Sequence, residues 1–414
     1  VIKQYHGIAA LVLLLGLFPA FFLPVLQLVV VVMLIGLGVA FRQFNRSWLK
    51  QLLMWHYIVF AQFCVFFFIN AAFYPVWESP RMYYRAIALE SWSISLVCLV
   101  VLVFWLHLQK ASDIKRALIV WLPVALTLSF TIATVIYVSG TQGSRVPLFT
   151  PNPLAPPFWF LVFAMTSFAW FFEMTRWEKI TRFALFLMAG MMAVYGSARL
   201  VMLAWEVCGC ALAVWFYIQA ERKHRPRVLL GIGLSLAVSL IVIVMGDALS
   251  GGLLMARMTS FLQVDFTYDS LSQQFLRLQI WTGALSIISD NAWLGIGQVN
   301  ERIAIQQNIG WEHWFRAHQS YLSYLIAGGM PALISGLLMQ SPVLALLSAA
   351  KRSALFPAFL GLGVVVTLNC LTDSIFQSGV SVQAFMLTTL LFLRASDVDQ
   401  PTLAPQKQVS SAAT

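Results

Sequence analysis

The sequence predicts an all-α polytopic membrane protein with about twelve transmembrane helices and one large helical loop on the outer face. Three observations carry this. Of 414 residues, 60% are hydrophobic and only 10% charged, where an average soluble domain carries roughly a quarter charged. No soluble chain of this size buries so much apolar surface and still covers its outside. The apolar residues gather in runs near the ~20 residues a helix needs to cross the hydrocarbon core. The Lys and Arg residues, which give a net charge of +10, recur in every second connection between runs. That pattern reads as membrane orientation, not as a footprint for nucleic acid.

In order, the expected spans cover 7–22, 24–41, 48–72, 86–107, 117–138, 157–173, 180–195, 199–220, 228–246, 328–350, 353–372 and 377–393. The first two meet at Pro24. These runs are far longer than barrel strands and do not alternate, so helices are the expected form. Placing the N-terminus in the cytoplasm puts 18 of the 26 Lys and Arg on the inner side and eight outside. This matches the positive-inside rule and an even number of spans, so both termini are expected in the cytoplasm. The organisation that follows is 1–246 for spans one to nine, 247–316 for the outer loop, 317–394 for spans ten to twelve, and 395–414 as a disordered cytoplasmic tail. No cleavable leader is expected, because the first apolar run passes into the second without a clear cleavage site.

All eight outer cations are arginines: Arg81, Arg85, Arg145, Arg199, Arg257, Arg277, Arg302 and Arg316. Orientation alone does not ask for cations there. The planar guanidinium binds phosphate or carboxylate oxygens in pairs, so the set points to an anionic ligand on the outer face. Any single one of them is equally explained by an outer acid or a lipid headgroup. Arg199 follows a short turn between spans seven and eight, at or near membrane depth, where a cation usually marks a partner or a polar cavity.

The loop 247–316 is too long to be structureless and is expected to be functional. Its middle reads as a helix capped by Asp269 or Ser270, with Leu271, Phe275, Leu278, Leu285 and Ile288 near one face, ending at Asp290-Asn291. Trp293-Leu-Gly-Ile-Gly297 reads as a tight turn. Residues 252–262 read as an amphipathic surface helix, and the prolines of 147–157 as a stiff connector.

The five cysteines all lie in apolar runs and their number is odd, so neither a disulfide framework nor a zinc site is expected. No His-Glu-x-x-His, Cys/His cluster, P-loop or paired acids for a metal-bound sugar nucleotide occurs, so no metal and no cofactor are expected. Of the six histidines, His313 and His318 lie at the outer end of span ten. An interfacial polar group is one account of His318. The other is a general base, because it opens a helical pattern close to Arg316 and on the side that carries Arg199 and Arg277.

Three stretches together resemble the bacterial O-antigen ligase and polymerase superfamily. The first is Gly196-Ser-Ala-Arg199, similar to the family's Ser-Arg turn at the start of a span. The second joins Arg277-Leu-Gln-Ile-Trp281 to Asp290-Asn-Ala-Trp-Leu-Gly-Ile-Gly297. The third, and most specific, is His318-Gln-Ser-Tyr-Leu-Ser-Tyr-Leu-Ile-Ala-Gly-Gly329. Against the family pattern Gln319 replaces Asn, Ala292 replaces Pro, and Ala198 separates Ser197 from Arg199.

The resemblance implies a glycosyltransferase in the bacterial inner membrane with its site on the periplasmic face, so that 247–316 would be a periplasmic loop. It implies a glycan donor on undecaprenyl diphosphate and a lipid A–core acceptor, joined in lipopolysaccharide assembly without nucleotide or metal. It further implies His318 as base, Arg199 and Arg277 as diphosphate ligands, and Arg316, Gln319, Tyr321 and Trp281 as further substrate contacts. An O-antigen polymerase or a protein O-oligosaccharyltransferase shares these motifs, and the short C-terminal tail leans towards the ligase. A transporter or lipid flippase predicts paired halves with broken helices at the midplane, and no such symmetry is visible.

Overall fold

The computed structural model describes residues 2–17, 54–75, 81–139, 155–195, 198–249, 252, 276–310, 316–350, 354–371, 373, 374, 376 and 379–396. The expected span 24–41, all but the first residue of the surface helix 252–262, the expected cap Asp269 or Ser270, His313, the turn 196–197, the tail from 397 and most of the proline connector lie outside these residues. Every regular element among the described residues is helical, in line with the expected class. They are α1 (Ile2–Leu17), α2 (Met54–Phe73), α3 (Arg81–Leu108), α4 (Ala111–Ser139), α5 (Ala155–Thr166), α6 (Arg176–Tyr195), α7 (Arg199–Gln219), α8 (Arg225–Leu249), α9 (Leu276–Asn291), α10 (Glu301–Ile309), α11 (Ser320–Gln340), α12 (Pro342–Ala350), α13 (Phe356–Cys370) and α14 (Gly379–Ser396). Among them four stretches are long and apolar enough to cross a membrane, at His56–Phe73, Ala111–Tyr137, Leu200–Gln219 and Ser320–Leu346. Shorter apolar helices occur at Gly7–Leu17, Ala155–Thr166, Phe356–Cys370 and Ser381–Ser396.

Lipid tails are as apolar as side chains, so these helices are held together mainly by close packing and polar staples. α1 lies along α4. A Cβ on Gly16 would stand 2.5 Å from the Ala125 Cβ, and the Ser129 hydroxyl donates to the Gly16 carbonyl at 2.9 Å. α2 packs on α3 and α11. There Phe67 stacks on Trp92 at 5.2 Å and Phe63 meets Tyr324 edge-on at 5.7 Å. Such aromatic pairs add about 0.5–1.5 kcal/mol each beyond their area. α14 closes the bundle against α3 and α4, with Gln383 donating to the Ser95 hydroxyl at 2.9 Å.

Three expected spans take a different form. The run 157–173 is not one helix. α5 stops at Thr166 after 12 residues, about 18 Å of rise against a hydrocarbon core of roughly 30 Å. Thr166 and Ser167 turn their hydroxyls back onto the Phe163 and Ala164 carbonyls, which competes with helix continuation. The buried Arg182 then takes the Ser167 carbonyl at 3.0 Å and also binds the Ile119 carbonyl. The run 353–372 is interrupted by a π-helical turn at Leu360–Val365.

The third departure concerns span ten. It begins at Ser320, eight residues before the expected 328, and is broken at Gly328 and Gly329, where φ of Gly329 is +65°. The broken turn frees the Ile326 and Ala327 carbonyls. The backbone N–H groups of Ile296 and Gly297 reach them at 2.7 and 2.9 Å, and the Asn70 amide reaches Ala327 at 2.7 Å. Met330 N–H returns to the Ala292 carbonyl at 2.9 Å. Left unpaired at membrane depth, each such group would cost several kcal/mol. The 292–297 turn is therefore the plug of a broken helix. Gly295 suits that task, since φ is +66° and a Cβ would lie 2.6 Å from the Ile326 oxygen.

α9 and α10 share a small core of their own with this turn and the start of α11, built on Ile280, Ala284, Ile287, Ile296, Ala304, Ile305, Ala317 and Ile326. That corrects part of the expected apolar face of this helix, of which Leu271 and Phe275 lie outside the described residues and Ile288 does pack against this core. Leu278 and Leu285 are exposed, and the buried stripe runs through Ile280, Ala284 and Ile287. Apolar residues cover a broad arc of α9, so their period alone did not select the part of it that packs.

Candidate active site

The residues around His318 are built by the break and its plug. His318 stands two residues before α11 with φ of +49°, a left-handed conformation uncommon for a non-glycine residue and often found at functional sites. Both sides of this turn are clamped. Ala317, just before it, donates its N–H to the Glu301 carboxylate at 3.0 Å and accepts from the Trp281 indole at 2.9 Å. Gln319, just after it, caps α11 by accepting from the Leu322 N–H.

The His318 ring lies against Asp373, on the turn between α13 and α14, with Nδ1 and Oδ1 3.6 Å apart. That is slightly longer than a hydrogen bond. Catalytic contacts of this length commonly tighten once substrate binds. The Asp373 turn is itself fixed. Its Oδ1 accepts from the Ser374 N–H at 2.8 Å, and its carbonyl accepts from the Ser320 hydroxyl at 2.8 Å. Burial pushes the Asp373 carboxyl up, but the His318 ring, the Ser374 N–H and the Arg277 charge together hold it below its ordinary 3.8. The His318 ring is about two-fifths exposed, and its Nε2 has no partner among the described residues. A base held by a carboxylate at one nitrogen and open at the other can take a proton from an incoming hydroxyl.

Arginines gather here too. Arg277 is exposed on α9, one turn before Trp281, and acts electrostatically on Asp373. Arg316 is half-buried two residues before His318. Burial and Arg302 bring its guanidinium down to about 10 against the opposing pull of Glu301 and Asp373, so it is charged at neutral pH. Arg199 opens α7, which packs on Val366–Cys370, the segment leading to Asp373. Its side chain lies outside the described residues. The structure thus brings together His318, Arg277 and Arg316. By contrast, Trp281, Gln319 and Tyr321 spend their polar groups internally, Tyr321 by donating to Gln340 at 3.2 Å.

Asp373 and Glu301 were not singled out by the sequence. An acid at the very end of an apolar run was the available signal for Asp373. No group of three or more His, Cys, Asp or Glu capable of holding a metal occurs among the described residues.

Residues 183–337 match the family model for O-antigen ligase. The match is under half of the chain and spans Arg199, Arg277, Trp281, Arg316, His318, Gln319 and Tyr321, whereas Asp373 lies beyond it. No curated protein matches the chain. Residues 183–337 of this helical chain, which carries membrane-type apolar helices, are therefore similar to the O-antigen ligase family.

Proposed function

We propose that the chain is an O-antigen ligase in the bacterial inner membrane. It transfers a glycan from undecaprenyl diphosphate to a sugar hydroxyl of lipid A–core on the periplasmic face. The observation that carries the reading is the left-handed His318 between Asp373 and two arginines. The acceptor oxygen attacks the anomeric carbon and the bond to the diphosphate oxygen breaks, with inversion. The hydroxyl proton passes to His318, while Asp373 orients the ring. The diphosphate leaves on its lipid. Arg277 and Arg199 neutralise the charge developing on it, as preorganised cations do without a metal, and Arg316 adds positive potential beside the base. The polyprenyl tail lies in apolar grooves between helices.

A polymerase or protein-directed transferase uses the same donor chemistry, so the acceptor decides between them. The test is purified protein with lipid-linked glycan and lipid A–core, without nucleotide and with excess chelator. Transfer to lipid A–core is expected. Transfer only to a second lipid-linked glycan or to a protein moves the assignment to those relatives. Loss in chelator that magnesium restores removes the metal-independent mechanism.

A further inference from the structure

We propose that Glu301 is a positioning residue of this site. The proposal rests on the glycosyl-transfer reading for its kinetic arm and on geometry alone for its chemical arm. Glu301 lies in the first turn of α10 and is 1% exposed. A carboxylate taken so far out of water is costly unless several donors meet it. Two of them lead to the reacting residues. The Ala317 N–H reaches Oε1 at 3.0 Å, and the Ser323 hydroxyl reaches the same oxygen at 2.7 Å. Ser323 lies 2.9 Å from the Ser374 hydroxyl, whose backbone N–H holds Asp373. One buried oxygen therefore ties down both halves of the pair, the turn that carries His318 and the turn that carries Asp373.

The anchor behind it is firm. Asn300, fully buried, donates to the Pro75 and Ile296 carbonyls at 2.8 and 2.7 Å, which fixes the start of α10 against the end of α2 and the plug. A left-handed His318 does not persist unless its surroundings impose it. Removing Glu301 releases the Ala317 N–H and lets the turn relax, so the ring drifts from Asp373 while the arginines stay in place. Glutamine still offers one amide oxygen to both donors, so acceptor geometry survives Glu301→Gln.

The experiment uses the full-length purified protein with two readouts. The first is transfer from lipid-linked glycan, resolved into kcat and KM. Glu301→Ala is expected to lose roughly 10–100-fold in kcat with the donor KM within about threefold, the split of a group that acts on the transition state and not on binding. Glu301→Gln is expected to recover most of that loss. The second readout is the rate of carbethoxylation of His318, followed by mass spectrometry with the exposed His224 as internal control. His318 labelling is expected to rise several-fold in Glu301→Ala and stay at the wild-type rate in Glu301→Gln. Unchanged kcat and unchanged His318 labelling in Glu301→Ala overturn the proposal. If that variant does not fold, Ser323→Ala decides, since it cuts the link to Ser374 but leaves Ala317 paired. Lowered kcat or altered His318 labelling there supports the proposal, and wild-type values overturn it. A wild-type protein without transfer, combined with altered His318 labelling in Glu301→Ala, sinks the glycosyl-transfer reading and leaves Glu301 in its role.

Discussion

At the scale of single residues, the proposed mechanism asks His318 and Asp373 to do different things, and their variants separate these. His318→Ala is expected to insert and fold, bind the lipid-linked donor, and lose about 10²–10⁴-fold in transfer, the usual contribution of a positioned base. Near-wild-type transfer demotes it to structure, and lost donor binding makes it a diphosphate ligand. Asp373→Asn keeps the shape and removes the charge that orients the ring, a change that in other base-orienting carboxylates costs up to about 10⁴-fold. The sign of its pH effect follows from a carboxyl held below 3.8. Its contribution to the fold is complete above the ordinary value and is lost as pH falls through the lower, folded one. Acid unfolding of the wild type should therefore include a step that Asp373→Asn lacks, checked by melting temperature across the acid range. Arg277→Lys keeps charge but not the fork, and reduced transfer with donor binding weakened is expected. Full activity in Arg277→Lys shows that only charge matters there. His318 and the arginines were open to nomination from the sequence because they sit in short ordered motifs. Asp373 was not, because the chain returns to His318 only after α11, α12 and α13, and no local period encodes that return.

At the scale of elements, the break in α11 is the feature on which the site depends. The sequence showed a glycine-rich turn at 293–297, and that reading holds; the two glycines at 328 and 329 were in view as the end of a motif. It could not show that one is plugged by the other, since that pairing is made of backbone N–H groups, which every residue carries. Gly329→Ala tests the plug. The residue has positive φ, and a Cβ there would overlap the Trp293 carbonyl. Overpacking typically costs 1–3 kcal/mol, so a loss of about 2 kcal/mol or more is expected in thermal or denaturant unfolding. Gly231→Ala is the control, in α8 with nothing within 4 Å of a Cβ, and should be neutral or stabilise by roughly 0.5–1 kcal/mol. Equal effects at the two positions mean the break is not a tight fit. The face of α9 was misread for a related reason. Its apolar side chains cover a broad arc, and only packing against α10 and Ala317 selects Ile280, Ala284 and Ile287.

At the scale of the whole molecule, the expected topology predicts which side of the membrane the site faces, and that can be measured directly. Under the twelve-span layout expected from the sequence, eighteen of 26 cations fall on one side, every lysine among them, and the eight on the other are all arginine. Reversing the chain would place most of these cations outside, against the positive-inside rule, for which charge in short connections is the main determinant. The proposed ligation asks for the same orientation on separate grounds. A glycan destined for an outer-facing acceptor has to meet His318 and its arginines on that side. Single cysteines can be introduced after the five native ones are replaced. Of these, Cys64, Cys208 and Cys370 are buried and Cys210 is exposed. Glu312→Cys, in the segment leading to His318, should react with a membrane-impermeant maleimide once the outer envelope is opened. Lys110→Cys, between α3 and α4, and Lys223→Cys, between α7 and α8, should react only after the inner membrane is also permeabilised. Labelling of Lys110→Cys and Lys223→Cys in sealed spheroplasts, with Glu312→Cys protected, would invert the topology. The His318 site would then face the cytoplasm, on the wrong side for ligation. Protection of all three would instead place the loop before His318 inside the membrane, and the donor would have to reach the base from the bilayer itself.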